Sequence, residues 1–341
     1  MFPLSEHVAE REGHRTFYLA CGAEDAPLIV FVHGWPELSL SWRHQLPCFA
    51  SLGFRAVAPD MRGYGRSSVY PRHEDYAIER SVEDMLALLD ALGRERAIWV
   101  GHDWGSPVVW SLASHHPERC KGVANLCVPY IAQGFTIDAL VSLVDRVLYP
   151  EAQYPAGQWE YQLFYQENFA KAQAAFEANP RNTVKALFRA GNPAGRGKPA
   201  RTAKTRRDGG WFGSAAAAPD LPIDRTVVSE ADVEVYATAL ARNGFFGPDS
   251  WYMNQGPNAA YAARAKNGGR LRLPVLFLHG AYDYVCATLG TRLADPMRRD
   301  CERLSEVTVA SGHWMAQEKP VVVNAAITRW LALEFPELWP R

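Results

Sequence analysis

Gly101-His102-Asp103-Trp104-Gly105 sets one carboxylate between two glycines, directly after the apolar run Ala97–Val100 and before a helix-forming segment. The pattern has the form G-x-S-x-G, a sharp strand-to-helix turn that exposes its central side chain, with aspartate in place of serine. A serine hydroxyl needs a base before it can attack, whereas an aspartate with an ordinary pKa of about 3.9 is already ionised at neutral pH. A carboxylate suits displacement at a saturated carbon. It then leaves an alkyl ester for water to hydrolyse, so ordinary esterase or lipase chemistry is disfavoured. The N-terminus of the following helix would stabilise the negative charge. Aspartate is also a good helix N-cap, so the motif takes its chemical meaning from its partners. Ser106, one position beyond the second glycine, is no substitute.

Two partners stand where such a turn needs them. Triads built on a nucleophile elbow run in the chain order nucleophile, acid, base. The apolar run Leu273–Leu278 is followed by His279-Gly280-Ala281-Tyr282-Asp283, and the run Glu306–Ala310 by Ser311-Gly312-His313-Trp314. Asp283 would orient and stabilise an imidazolium at His313, and His313 would deprotonate the hydrolytic water. Upstream, Leu28–Val32 ends in His33-Gly34-Trp35-Pro36-Glu37, a glycine turn able to aim a backbone N–H at the reacting carbonyl. The N–H groups of Trp35 and Trp104 would form an oxyanion hole, although a plain tight turn explains the same residues. His115 and His116 precede Pro117 at a helix end and read as structural. His102 and Asp103 lack further ligands at metal spacing.

These residues have to be brought together by the elements around them. Leu28–Val32, Arg55–Ala58, Ala97–Val100 and Gly122–Val128 read as buried parallel strands, with helical patterns at Ser81–Leu92 and Gly105–His115 between them. After Pro129 the segments become helical and aromatic-rich, without a convincing buried strand. Strand character returns at Leu273–Leu278 and Glu306–Ala310, and an amphipathic helix closes the pattern near Val321–Glu334. The expectation is an α/β fold with a mostly parallel sheet flanked by helices. Residues 1–130 and 266–341 form its core, and 131–265 form a helical cap inserted after the sixth strand. Within the cap, Gly191 to Ala218 is irregular and carries Arg196, Lys198, Arg201, Lys204, Arg206 and Arg207, read as a solvated, mobile loop rather than a nucleic-acid patch.

The 341 residues are 48% hydrophobic, enough for a large core, and 12% aromatic with 11 tryptophans, which suits a sizeable apolar pocket. A net charge of −1 favours neither nucleic acid nor an anionic membrane. The longest apolar runs are strand-sized, far short of the ~20 residues a bilayer span requires. Six cysteines without C-x-x-C spacing suggest neither zinc nor a disulfide framework. No basic-then-apolar leader opens the chain, and a reduced, cytoplasmic setting is expected.

Taken together, these motifs resemble those of the α/β-hydrolase-fold epoxide hydrolases over nearly the whole chain. His33-Gly34-Trp35-Pro36 is similar to the family's HGxP motif, and Pro59-Asp60-Met61-Arg62-Gly63-Tyr64-Gly65 to the glycine-rich stretch after the next strand, which is not a phosphate loop. Gly101–Gly105 is similar to the family's nucleophile motif, shared with haloalkane dehalogenases. Trp159–Gln166 and Gly247–Tyr252 resemble the two segments that carry the family's ring-opening tyrosines. The resemblance therefore implies that Tyr161 and Tyr252 donate hydrogen bonds to an epoxide oxygen, with Tyr165 the competing position beside Tyr161. Opening an epoxide makes an alkoxide that needs a proton donor, and phenols of pKa about 10 can supply one. A small-molecule epoxide and water would be the reactants, with no cofactor and no metal. A haloalkane dehalogenase is the nearest rival, since Trp104 could bind halide, but halide needs no proton and the two tyrosines argue against it. A fluoroacetate dehalogenase would want arginines after Asp103, where Trp104-Gly105-Ser106-Pro107 has none. A hydrolase-fold binding protein that has lost catalysis is the third reading, and the intact triad speaks against it.

Overall fold

A computed structural model describes residues 3–339. Eight strands form one sheet: β1 (Ser5–Arg11), β2 (His14–Cys21), β3 (Leu28–Val32), β4 (Arg55–Pro59), β5 (Ala97–His102), β6 (Cys120–Leu126), β7 (Leu271–Gly280) and β8 (Cys301–Val309), in the order β1-β2-β4-β3-β5-β6-β7-β8. Only β2 runs against its neighbours; every pairing from β4 to β8 is parallel. The central strands β3 and β5 are buried along their whole length. Their near-continuous apolar runs follow from that burial, because helices cover both faces of a parallel sheet.

The first three helices, α1 (Gln45–Ser51), α2 (Ile78–Ala91) and α3 (Gly105–His115), lie between the strands of the first part of the chain. From the end of β6 to the start of β7 the described residues hold no strand. They hold α4 (Ile137–Val141), α5 (Glu160–Glu177), α6 (Pro180–Leu187), α7 (Thr205–Asp208), α8 (Glu230–Asn243), α9 (Phe246–Ser250) and α10 (Gln255–Ala262). After β7 come α11 (Asp295–Asp300), then β8, α12 (Met315–Glu318) and α13 (Pro320–Glu334). Helix α8 opens with a reciprocal cap: Ser229 Oγ accepts from the Asp232 backbone N–H while Asp232 Oδ2 accepts from that of Ser229. It packs on α6, whose first turn starts at Pro180 under an Asn179 cap.

Two features depart from the sequence expectation. The N-terminal hairpin β1–β2 adds two strands: β1 is an edge strand whose residues are half-buried or exposed and which has no apolar run, while β2 carries the buried run Phe17 to Cys21. The stretch 191–218 is not simply a solvated loop: Ala200, Thr202, Ala203 and Thr205 are buried. Its backbone is tied down, with the Ala200 N–H donating to the Tyr149 hydroxyl at 3.0 Å. Small uncharged residues between the basic ones do the packing, a pattern that composition hides. Among the described residues no helix is long and apolar enough to cross a membrane.

Candidate active site

The parallel strands β3, β5, β7 and β8 all end on one edge of the sheet, and the loops leaving them converge there. Beyond β5 the chain turns so sharply that Asp103 sits at φ +50°, in the left-handed region that side chains rarely adopt. The turn closes only because its flanks are glycines. A Cβ at Gly105 would overlap the Val32 carbonyl oxygen, and one at Gly101 the Asn125 side chain. Strain of this kind is tolerated where the surroundings over-determine it, and here it projects one carboxylate beyond the sheet edge.

That carboxylate has two partners. Its Oδ1 accepts from the Trp35 backbone N–H at 2.6 Å, and its Oδ2 lies 3.2 Å from His313 Nε2. The other imidazole nitrogen, Nδ1, lies 2.7 Å from Asp283 Oδ2. Asp283 is held in turn by the backbone N–H groups of Val285 and Cys286, each donating to its Oδ1 at 3.1 Å. Burial opposes charge on His313, but the carboxylates of Asp283 and Asp103 outweigh it and lift the ring well above the ordinary imidazole range. Burial likewise opposes charge on Asp283, and the facing His313 outweighs it, drawing the acid below its usual value. Gly34 presses against Asp103, and a Cβ there would meet both Asp103 Oδ1 and the Trp104 backbone nitrogen. The Trp35 N–H donates to this carboxylate, and the Trp104 amide nitrogen faces the same side of Gly34.

A cavity of about 660 Å³ opens over this edge, and Asp103, His313, Asp283, Tyr161, Tyr252, Trp35 and Trp104 all line it. Tyr161 comes from the first turn of α5, and Tyr252 from the short turn Trp251–Met253 that follows α9. Their ring centres are 5.6 Å apart, and Tyr252 meets the Trp104 ring edge-on at 5.2 Å. Burial raises both phenols above their ordinary pKa, with Tyr161 and Asp103 adding to the effect at Tyr252, so both hydroxyls keep their protons. Tyr165 is elsewhere: it stacks behind Tyr252 at 4.5 Å and its buried hydroxyl has no hydrogen-bond partner.

A second layer was not visible as a function in the sequence. Glu37 and His102 are both buried, and His102 Nδ1 lies 2.7 Å from Glu37 Oε2 while its Nε2 lies 2.7 Å from the His313 carbonyl oxygen. Both partners are acceptors, so both ring nitrogens must carry protons. Burial disfavours the charge, but Glu37 overrides it and pushes His102 up to about 10, while Glu37 falls to about 2. The imidazolium therefore links the loop after β3, through Glu37, to the backbone of the catalytic candidate His313. A buried glutamate closing the His33–Glu37 segment was the only available signal, because its partner lies 65 positions away. Trp35 is fixed similarly: its indole N–H donates to Asp249 Oδ1 at 2.9 Å. Burial holds the Asp249 carboxyl well above its normal range.

For a metal, the only clustered donors among the described residues are His102 Nε2, Cys127 Sγ and a His313 ring nitrogen, within 4.8 Å of one another. His102 Nε2 and Cys127 Sγ both point at the His313 carbonyl oxygen, at 2.7 and 3.2 Å, and the His313 ring lies between two carboxylates. These atoms are engaged in positioning His313.

Residues 27–320 match the family model for the alpha/beta hydrolase fold. The chain is 32% identical to epoxide hydrolase A of Mycobacterium tuberculosis, over 96% of this chain and 97% of that protein. It is 31% identical to bifunctional epoxide hydrolase 2 of Sus scrofa over 95% of its own length, but spans only about half, 54%, of that longer relative. Among solved structures, epoxide hydrolase A of Mycobacterium thermoresistibile superposes with a TM-score of 0.79 at 32% identity, covering 96% of this chain and 98% of that one. With the family model spanning most of its length and a full-length relative above 30% identity, the chain belongs to the α/β-hydrolase-fold epoxide hydrolase family.

Proposed function

We propose that the chain converts an epoxide and water into a vicinal diol through an ester on Asp103, with residues 131–265 acting as a cap over the core. The observation that carries this reading is the convergence on one cavity of an ionisable carboxylate, an acid-supported imidazole and two protonated phenols. An Asp103 oxygen attacks a ring carbon, the carbon–oxygen bond of the ring breaks, and the oxygen that leaves takes a hydrogen bond and then a proton from Tyr161 or Tyr252. His313 then removes a proton from water, and the hydroxide adds to the ester carbonyl. The tetrahedral oxyanion faces the Trp35 and Trp104 N–H groups. Its collapse leaves the diol oxygen as an alkoxide and Asp103 as a carboxylic acid; the protons on that acid and on His313 pass to the alkoxide and the phenolate, which releases the diol and regenerates the Asp103 carboxylate, neutral His313 and both phenols. The balance is one epoxide plus one water to one diol.

Halide displacement is the weaker reading. A leaving halide would have no use for the two phenols that line the cavity beside Trp104. A single turnover in ¹⁸O-water tests the proposal. The diol should carry unlabelled oxygen from Asp103, and the label should appear in the Asp103 carboxylate. Tyr161→Phe and Tyr252→Phe should each slow ester formation by about 10²–10³, the usual loss for one charge-stabilising donor, and the double variant should be nearly inactive. Label found directly in the first-turnover diol, or an unimpaired double variant, overturns the mechanism.

A further inference from the structure

We propose that Asp249 is a positioning residue for ring opening, tying the segment that carries Tyr252 to the loop that borders Asp103. The tie runs through the Trp35 indole. This role goes beyond the triad and the two phenols, and it rests on the epoxide-hydrolase reading above.

A buried carboxyl is costly unless it is paired, and Asp249 is fully buried with little pairing. Its Oδ1 accepts from the Trp35 indole N–H at 2.9 Å, and its Oδ2 has no partner among the described residues. Among those residues no lysine, arginine or histidine forms an ion pair with it. Burial, with the Glu177 charge adding to it, outweighs the Trp35 hydrogen bond and keeps the acid protonated. Asp249 does not line the cavity, so it has no contact with a substrate there. Its one side-chain bond is to Trp35, and any role it has must pass through that indole.

Trp35 stands where the core meets the proposed cap. Its backbone N–H donates to Asp103 Oδ1 at 2.6 Å. Its ring meets Tyr252 edge-on at 6.1 Å and stacks on Trp211 at 5.4 Å. Asp249 lies in α9, just before the turn that carries Tyr252. This segment is also held through His73, whose Nδ1 lies 2.8 Å from Ser250 Oγ and whose carbonyl accepts from Asn254 at 2.7 Å. His73 is not part of the cavity lining, so those bonds secure the segment's outer side. Among the described residues, Trp35–Asp249 is the one hydrogen bond that joins it to the loop after β3.

The two steps of the reaction depend on this link differently. Ring opening needs Asp103 and the phenols on one epoxide at once, so core and cap must hold their register. Ester hydrolysis uses His313, Asp283 and the N–H groups of Trp35 and Trp104, all from the core. A misplacement of about 1 Å can cost about 10²-fold in a step that needs aligned groups. Loss of the tie should therefore slow ester formation and spare ester decay. A residue that only filled space would affect both steps alike, or neither.

Quenched-flow mass spectrometry with styrene oxide follows formation and decay of the Asp103 ester. Asp249→Leu leaves the indole N–H unpaired and should slow ester formation by about tenfold or more, with decay within about twofold of wild type. Asp249→Asn has the neutral shape of a protonated acid, with a carbonyl oxygen to accept from the indole, and should recover most of the rate. An asparagine variant as slow as the leucine one would show that the group works as a charge, and overturns the proposal. Trp35→Phe breaks the same bond from the other side, keeps an aromatic ring, and carries the test if Asp249→Leu fails to fold. The double variant should be no slower than the slower single, because both singles remove one shared interaction; losses that multiply overturn the tie. Single variants that form the ester at the wild-type rate, or slow both steps alike, overturn it too and leave the epoxide hydrolase standing. A wild type that forms neither ester nor diol overturns the epoxide-hydrolase reading, and the tie with it.

Discussion

A base seated between two carboxylates has to lose a proton before it can take one, and His313 is in that position. Asp283 is almost unexposed and fixed by two backbone N–H groups, so its charge persists throughout the proposed cycle. Asp103 differs, because forming the ester removes its charge. One of the groups that lift the His313 pKa disappears at the moment a base is needed. The sign follows directly. Ester hydrolysis requires the neutral ring, so its rate should rise with pH and level off at the His313 pKa of the esterified form, which should lie below that of the resting protein. Rapid-mixing measurements of ester decay across pH, beside a titration of His313 by NMR in the resting protein, give the two values; equal values would contradict the coupling. His313→Gln removes the base but leaves the nucleophile, so intact-protein mass spectrometry after epoxide addition should show a stable adduct on Asp103. Asp283→Asn should slow hydrolysis far more than alkylation, since it withdraws the partner that orients and stabilises the imidazolium. Losses of about 10⁴ have accompanied that change in a Ser-His-Asp triad.

Between elements, Glu318 at the end of α12 performs a joining role. Its Oε2 accepts from the Gly191 N–H at 3.0 Å and from the Gly312 N–H at 2.8 Å. The two glycines are in backbone contact, and a Cβ on either would overlap the other. One carboxylate thus fastens the start of the basic stretch to the loop that carries His313. Glu318→Ala leaves two N–H groups without an acceptor, at about 1–3 kcal/mol each. It should lower the melting temperature by a few degrees and reduce turnover, whereas Glu318→Gln, which keeps a carbonyl oxygen, should stay near wild type. An unchanged melting curve and rate for Glu318→Ala would remove the joining role. This junction also marks where sequence reading stopped. Buried central strands and residues at their ends were legible, because burial on both faces forces apolar runs and a sharp turn forces glycine. The five residues read from those motifs, Trp35, Asp103, Trp104, Asp283 and His313, line one cavity together with Tyr161 and Tyr252, which the family resemblance implied. Less was legible at the edges: β8 begins at Cys301, five positions before the apolar part that betrays it, because its first half is a partly exposed edge. The Glu318 junction left no trace, and the Glu37–His102 pair left only the acid that closes the His33–Glu37 segment, since each joins residues far apart in the chain through groups whose partners no local pattern reveals.

At the scale of the molecule, the charges nearly cancel, with a net value of −1. A nearly neutral protein has no long-range pull on a substrate of either sign, and the two acids that line the cavity, Asp103 and Asp283, are both engaged by His313. The Debye length falls from about 10 Å at 0.1 M salt to about 3 Å at 1 M, and capture of an uncharged epoxide should be indifferent to that change. Raising sodium chloride from about 0.02 M to about 0.5 M should therefore leave kcat/KM for styrene oxide nearly flat. A change of severalfold would mean that charge on the protein takes part in substrate capture.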